Sequence, residues 1–275
     1  MCSKTASYIL RKLSEVLLSL IFVTIFSFLL MRLSPVDPAQ AYVQRNSAIV
    51  TQEQIEQVRE EMGLNKPLFV QYGEWLRDAL DGEFGISLAS GYPTIDEVSK
   101  ALPITLKVVG FTAIISIAAS IGLGCLRYFS RGTILGSLIK VLMISGVSIP
   151  AFYIAIVFLD FFAVRLGMLS VAGNQGVLRF MPTAICMAVS ISCFYGGLLA
   201  QSLENEMMKD YIAYARCRGL GESRIILTQA LPHCLSGLIP SFMQMMGLCI
   251  AGAVTVERVF SLPGIGYLII DSVLK

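Results

Sequence analysis

Long uncharged runs are the feature that most constrains how this chain folds. Five runs without Asp, Glu, Lys or Arg hold 16, 19, 19, 24 and 32 residues, at positions 16–31, 108–126, 141–159, 180–203 and 225–256. A helix needs about 20 apolar residues to cross a bilayer. We therefore predict an all-α membrane protein, a polytopic helical bundle of about five transmembrane helices. A further apolar run at 259–270 is too short to span.

Composition supports this class and excludes several others. Hydrophobic residues make up 55% of the chain and charged residues 15%, whereas soluble domains contain about 25% charged residues. The net charge of +2 comes from scattered basic residues, so no nucleic-acid partner is expected. Seven cysteines without C-x-x-C spacing and one histidine predict buried thiols and no metal site. No nucleophile–base pair is apparent, so we expect no enzymatic chemistry in this chain.

The first run has two possible interpretations. Lys4, Arg11 and Lys12 form a positive segment before it, and residues 39–41 (Ala-Gln-Ala) resemble a signal-peptidase site. However, the run is longer than the roughly 7–15 apolar residues of a signal peptide. We therefore predict an uncleaved transmembrane anchor.

Basic residues predict the orientation in the membrane. Arg127, Arg131 and Lys140 crowd the loop after the second run without an acidic residue. Lys and Arg concentrate in cytoplasmic loops, so we predict a cytoplasmic N-terminus. The chain then divides into an N-terminal transmembrane helix (1–33), an external helical segment (34–101) and a core transmembrane domain (102–275). That core contains a cytoplasmic loop at 204–232.

Further patterns in the sequence add detail. Thr51 and Gln54 form a capping-box pattern for a helix of the external segment. That segment is mildly acidic, which suits either cationic cargo or a basic partner, although a solvated surface is the simpler interpretation. Ala118 and Gly122 are four residues apart, a spacing that predicts close helix contact in lipid. Ionisable residues are nearly absent inside the runs, which argues against ion-coupled transport.

The cytoplasmic loop has the pattern of a compact two-helix knob. Residues 208–217 read as a short helix, and Gly219 supplies a left-handed stop. Glu222 and Ser223 then open a second short helix that ends near Leu231. The loop has no phosphate-binding motif and no catalytic cluster. We predict that it fits into a pocket on another protein.

This loop resembles the coupling loop of permease subunits of ABC importers. The family pattern is E-A-A-x3-G-x9-I-x-L-P, and this chain matches it at Ala215, Gly219, Leu231 and Pro232. The peptide and nickel branch of the family instead shows Y-x-x-x-A-R-x-[KR]-G-L. That version is matched at Tyr211, Ala215, Arg216, Arg218, Gly219 and Leu220.

Further stretches resemble the same branch in collinear order and cover nearly the whole chain. They read YILRKL, MRLSPVDPA, LNKPLFVQYGEWL, GEFGISL, SIPAFY and TVERVFSLPGIGYLIIDSV. In the second stretch, Val36 replaces the usual glycine. The sequences PLFVQYGEWL and FGISL are more similar to those of nickel-system permeases than to those of dipeptide permeases.

The resemblance implies a type I ABC importer permease fold, which usually has six spans. The sequence ends after the fifth predicted span, so we expect either a truncated or a naturally short chain. The implied partners are a second homologous permease subunit, two ATP-binding subunits, an external solute-binding protein and the lipid bilayer of the bacterial inner membrane. ATP would be used by the partner subunits, and this chain would bind no cofactor.

The implied function is import of nickel, as a chelate, or of short peptides. Coupling to the ATPase would rest on Tyr211, Ala215, Arg216, Arg218, Gly219 and Leu220, with Leu231 and Pro232 setting the second helix. Two alternatives stay open at this point. The first alternative to a permease subunit is a self-contained channel or secondary carrier, and the second is a truncated membrane protein that transports nothing.

Overall fold

The computed structural model describes residues 2–33, 37–46, 50–87, 89–167 and 176–274. Regular structure in these residues is helical, apart from an isolated bridge between Ile86 and Pro93. The all-α class is therefore confirmed. Contacts divide the chain into two compact units, Met1–Asp96 and Glu97–Lys275. The predicted boundaries at 33 and 101 follow membrane topology rather than contacts, and they stay a prediction.

The described part of the N-terminal unit contains four complete helices: α1 (Cys2–Arg32), α2 (Pro38–Asn46), α3 (Gln52–Glu61) and α4 (Leu68–Leu80). The predicted capping box is confirmed, because Thr51 Oγ1 accepts from the Gln54 backbone N–H and Gln54 Oε1 accepts from that of Thr51. Polar and aromatic contacts join α1 to α4. Thr24 Oγ1 is hydrogen-bonded to the Tyr72 hydroxyl at 3.0 Å, and the Phe28 ring packs edge-on against Tyr72.

The second unit contains the remaining helices. They are α5 (Thr94–Phe129), α6 (Ile134–Ser148), α7 (Ala151–Leu159), α8 (Met181–Glu206), α9 (Asp210–Cys217), α10 (Glu222–Ile225), α11 (Leu231–Val259) and α12 (Ile265–Leu274). Helix α5 begins just before the boundary between the units. A π-helical segment, Asp160–Arg165, extends α7, and another, Ile226–Ala230, joins α10 to α11. A short 3-10 helix, Gly176–Arg179, precedes α8.

Helix α8 is the centre of this unit. It packs against α6, α7 and α11, and it is the most buried of the long apolar helices. Its inward side chains form the main core together with residues of α5 and α11, among them Val108, Cys186, Ile191, Ala253 and Val256. The prediction of buried thiols is confirmed for Cys186, Cys193, Cys234 and Cys249, whereas Cys217 is exposed.

Four helices in the described residues are long and apolar enough to span a membrane: Ser7–Arg32, Thr94–Phe129, Met181–Glu206 and Glu222–Val259. The third predicted span, at 141–159, is not one straight helix, because α6 and α7 meet there at an angle of 99°. Pro150 explains the break. It has no N–H to donate, and it disfavours the helical conformation at Ile149, which is extended at φ −86° and ψ 125°.

The second short helix of the predicted knob also differs from expectation. It does not end near Leu231 but continues through the π-helical segment into α11, so that one helical rod runs over Glu222–Val259. Pro232 follows the π-helical segment directly, so its missing N–H falls where the α-helical hydrogen-bond pattern is already interrupted. A second proline, Pro240, lies inside α11 near the middle of this rod.

Candidate functional site

The turn after α9 is a Schellman motif centred on Gly219. The Gly219 N–H donates to the Arg216 carbonyl at 2.9 Å, and the Leu220 N–H donates to the Ala215 carbonyl at 3.3 Å. These two bonds satisfy helix-end carbonyls when the residue after the cap is left-handed. Gly219 has φ +77°, so the predicted left-handed stop is confirmed. The left-handed backbone at Gly219 therefore sets the shape of this turn.

The chain reverses at Gly219 and enters α10 through Gly221. Gly221 is extended at φ −68° and ψ 147°, which is the usual conformation before a helix. Across the turn, Arg216 Nε donates to Glu222 Oε1 at 2.7 Å. This hydrogen bond raises the pKa of Arg216 above its ordinary value. We use the term coupling knob for residues 210–230, which comprise α9, the Gly219 turn, α10 and the π-helical segment.

The inner face of the coupling knob is fully packed. Ile212 and Ala215 of α9 and Ile225 and Ile226 of the second arm are buried, in one cluster with Leu199, Leu203 and Met207 at the end of α8 and Tyr128 of α5. Full burial of an isoleucine side chain stabilises a fold by about 1.5–3 kcal/mol. The knob is therefore held firmly on α8 and α5.

The outer face of the coupling knob is exposed and basic. Tyr214 is 66% exposed, and the Arg218 guanidinium lies 6.0 Å from the centre of its ring. Arg216 and Arg224 are also exposed. Among the described residues, Arg216 is the one of these three arginines that forms an ion pair, and its partner is Glu222. This face offers an aromatic ring and positive charge to a partner protein.

Polar contacts around Glu206, the last residue of α8, hold the start of the coupling knob in place. The Tyr211 hydroxyl donates to Glu206 Oε1 at 2.7 Å, and Lys209 Nζ lies 2.7 Å from Oε2. Burial and the bond to Glu206 raise the pKa of Tyr211 to about 12, so the phenol is a neutral donor at neutral pH. The ring of His233 packs against that of Tyr211 at 5.7 Å.

The predicted coupling residues do not all face outward. Arg216, Arg218, Gly219 and Pro232 are exposed; Tyr211, Leu220 and Leu231 are half-buried; and Ala215 is 3% exposed. Ala215 therefore packs against the core, while its neighbour Tyr214, which the sequence motif did not mark, presents the outer surface. Helical spacing carried that signal, because positions 214 and 218 are four apart on one face. The assignment of coupling to these residues stays a prediction.

A buried acid at the other end of α11 was missed by the sequence reasoning. Glu257 is fully buried, and its Oε1 accepts from Thr105 Oγ1 at 2.6 Å while its Oε2 accepts from the Gly266 N–H at 2.9 Å. Thr105 Oγ1 also accepts from the Ile265 N–H at 2.9 Å. The carboxylate thus connects α5, α11 and the start of α12. Its sequence signal was an acid directly after the longest apolar run and shortly before a Pro-Gly-x-Gly turn.

Ala215 and Ala213 provide a test of the packed inner face. Ala215→Leu should destabilise the protein by about 1–3 kcal/mol, because extra methylene groups in a packed site force side chains and backbone to shift. Ala213 is exposed on the same helix, so Ala213→Leu should change stability by less than about 0.5 kcal/mol. Thermal unfolding of the two purified variants in detergent measures the difference. Equal melting temperatures would contradict the packing described for Ala215.

Metal-binding side chains do not cluster in the part of the chain that the structure describes. No group of three or more His, Cys, Asp or Glu side chains is placed there to hold a metal ion.

Comparison with known proteins gives a consistent result along the whole chain. The family model described as "Binding-protein-dependent transport system inner membrane component" matches residues 105–275, and the model of its N-terminal region matches residues 5–109. The chain is 32% identical to a protein of Sinorhizobium fredii (strain NBRC 101917 / NGR234) named "Probable peptide ABC transporter permease protein", over 97% of this chain and 87% of that protein. It is 25% identical to the glutathione transport system permease protein GsiC of Escherichia coli (strain K12), over 97% and 86% of the two chains. The chain therefore belongs to the family of inner membrane components of binding-protein-dependent transport systems.

Proposed function

We propose that this permease imports short peptides as part of an ATP-driven importer. It assembles with a second related permease, two ATP-binding subunits and an external binding protein in the bacterial inner membrane, with its N-terminus in the cytoplasm. The names of its relatives support this cargo, since they refer to peptide and glutathione transport. ATP binds to the partner subunits, and this chain binds no cofactor.

The observation that carries the proposal is the two-faced coupling knob. Its outer face, with Tyr214 and Arg218, is exposed, whereas its inner face is packed on the end of α8. Its second arm continues directly into α11, a membrane span. When ATP binding draws the ATPase subunits together, they displace the knob. Because the knob is packed on one span and continuous with another, both spans move and the permease changes from inward-open to outward-open.

Charge reversal on the outer face should weaken the ATPase contact. Arg218→Glu removes a cation beside Tyr214 and adds an acid, so the amount of ATP-binding subunit that co-purifies with the chain should fall about tenfold or more. Arg179→Glu is the matched control, since Arg179 is exposed but lies on the opposite side of the membrane in the predicted topology. Quantitative mass spectrometry of the purified complex gives the subunit ratio.

The same purification, together with an uptake assay, distinguishes the proposed function from the two alternatives. A self-contained channel or secondary carrier would purify without ATP-binding chains, and the Arg218→Glu variant would behave as the wild type. A truncated, non-transporting protein would show no uptake in any variant.

Cargo is tested by uptake in a strain that lacks this gene. Restoring the chain should restore accumulation of a labelled dipeptide. The sequence PLFVQYGEWL favours nickel as the alternative cargo. Radioactive nickel should accumulate equally with and without the chain. Nickel uptake that depends on the chain, together with unchanged dipeptide uptake, would reverse the cargo assignment.

A further inference from the structure

A small polar pocket lies inside the N-terminal unit, at the end of α1. Its volume is about 280 Å³, close to the lower limit of about 300 Å³ for small-molecule sites. Four polar side chains line it: Arg32, Asp37, Arg59 and Gln71. They come from the MRLSPVDPA stretch, from α3 and from the QYGEW stretch of α4. The coupling function makes no use of these residues.

Two side chains that line this pocket each contain a buried polar atom without a hydrogen-bond partner among the described residues. Gln71 is only 7% exposed; its Nε2 donates to the carbonyls of Leu64 and Lys66, but its Oε1 is unpartnered. The Nε of Arg32 is likewise buried and unpartnered. Most buried polar atoms in proteins are hydrogen-bonded, and leaving one unpaired is unfavourable. The pocket therefore fits a ligand that supplies both an acceptor and a donor.

The other two polar groups satisfy each other. Asp37 accepts a hydrogen bond from Arg59 and another from the Ala39 N–H at 3.0 Å, while Arg59 also donates to Glu56 at 3.0 Å. The guanidinium of Arg59 holds the pKa of Asp37 below its ordinary value. These groups form a wall without free charge, so the guanidinium of Arg32 provides the positive charge that attracts an anion.

The position of the pocket indicates where such a ligand comes from. Arg32 is the last residue of the apolar span Ser7–Arg32, and the end of a span lies at the level of the lipid headgroups on either side of a membrane. Met31 lines the pocket and is 69% exposed, and Leu30 on the same helix is also exposed. An acyl chain lying along α1 would bring its headgroup to the pocket.

We propose that this pocket binds the headgroup of a phospholipid that carries both a phosphate and a primary ammonium, as phosphatidylethanolamine does. The phosphate accepts from Arg32, and the ammonium donates to Gln71 Oε1. This site is independent of transport. It holds α3 and α4 at the membrane surface, beside the end of the span α1.

Lipid binding to the full chain can be measured by native mass spectrometry of protein released from detergent micelles. Phosphatidylethanolamine should be retained about tenfold more than phosphatidylcholine, whose ammonium has no N–H, and about tenfold more than phosphatidylglycerol, which has no ammonium. These comparisons use the unmodified protein, so they do not depend on whether a variant folds.

Variants identify the residue that carries the binding. Arg32→Gln should lower retention of phosphatidylethanolamine about tenfold. Arg77→Gln should leave it unchanged, because Arg77 is exposed on α4 away from the pocket lining. Equal retention of the three lipids, or an Arg32→Gln variant that binds as the wild type, would overturn the proposal. A labelled dipeptide that binds in lipid-free micelles and is lost in Arg32→Gln would assign the pocket to cargo instead.

Discussion

The Gly219→Asp variant should insert into the membrane normally and lose about tenfold or more of its uptake, while the assembled ATPase continues to hydrolyse ATP. Gly219 has φ +77°, and a residue with a side chain in the left-handed region costs up to about 1–2 kcal/mol, with aspartate at the lower end of that range. The substitution also adds a negative charge to the turn that the Arg216–Glu222 ion pair bridges. Both effects deform the outer face of the coupling knob. Uptake in cells and ATPase activity of the purified complex give the two readouts.

Gly221 provides a control with the same charge two residues away. Its φ of −68° suits any residue, and it precedes α10 at a position where aspartate is favoured. In addition, no atom lies within 4 Å of the place where its Cβ would be. Gly221→Asp should therefore keep near-normal uptake. Normal uptake by Gly219→Asp would remove the turn from the coupling mechanism, and equal losses in both variants would point to charge instead of backbone shape.

Gly266→Ala should be among the most destabilising small substitutions in the chain. A Cβ at this position would lie 2.3 Å from Val254 Cα and 2.9 Å from Glu257 Oε2. Backbone must move to admit it, which costs about 1–3 kcal/mol and disturbs the bond from the Gly266 N–H to Glu257. We expect the melting temperature of the purified chain in detergent to fall by roughly 5 °C.

Gly252→Ala is the matched control on α11. No atom lies within 4 Å of the place where the alanine methyl group would be, and alanine is favoured over glycine inside a helix by about 1 kcal/mol. Its melting temperature should equal or exceed that of the wild type. A similar loss in both variants would show that the contacts around Glu257 do not set the stability of this region.

Features governed by neighbouring residues were predictable from the sequence. The capping box of Thr51 and Gln54 and the left-handed stop at Gly219 depend on atoms a few positions apart, and both are confirmed. The long apolar runs gave the all-α class for the same reason, because spanning length is counted along the chain.

Features that depend on distant residues or on helix direction were not predictable. Pro150 breaks a run that contains no charge, so counting uncharged residues could not detect the bend. Glu257 accepts a hydrogen bond from Thr105, which lies 152 positions earlier in the sequence. The spacing of Ala118 and Gly122 predicted a close helix contact, which stays a prediction, because no atom of this chain lies within 4 Å of the Cβ position of Gly122. Within the chain, it is Gly124 whose Cβ position lies 2.9 Å from Leu199. The sequence did not indicate which face of α5 meets α8.

The continuous helix Glu222–Val259 has a mechanical consequence. Its 38 residues, at 1.5 Å each, form a rod about 57 Å long with Pro240 close to its midpoint. A proline removes one backbone hydrogen bond and makes its position the natural joint of a helix. A swing of the inner half by about 5° at this joint would carry the coupling knob sideways by about 2.5 Å. The outer half, held by the contacts of Glu257, would stay in place. Only the half of this helix next to the coupling knob would then move.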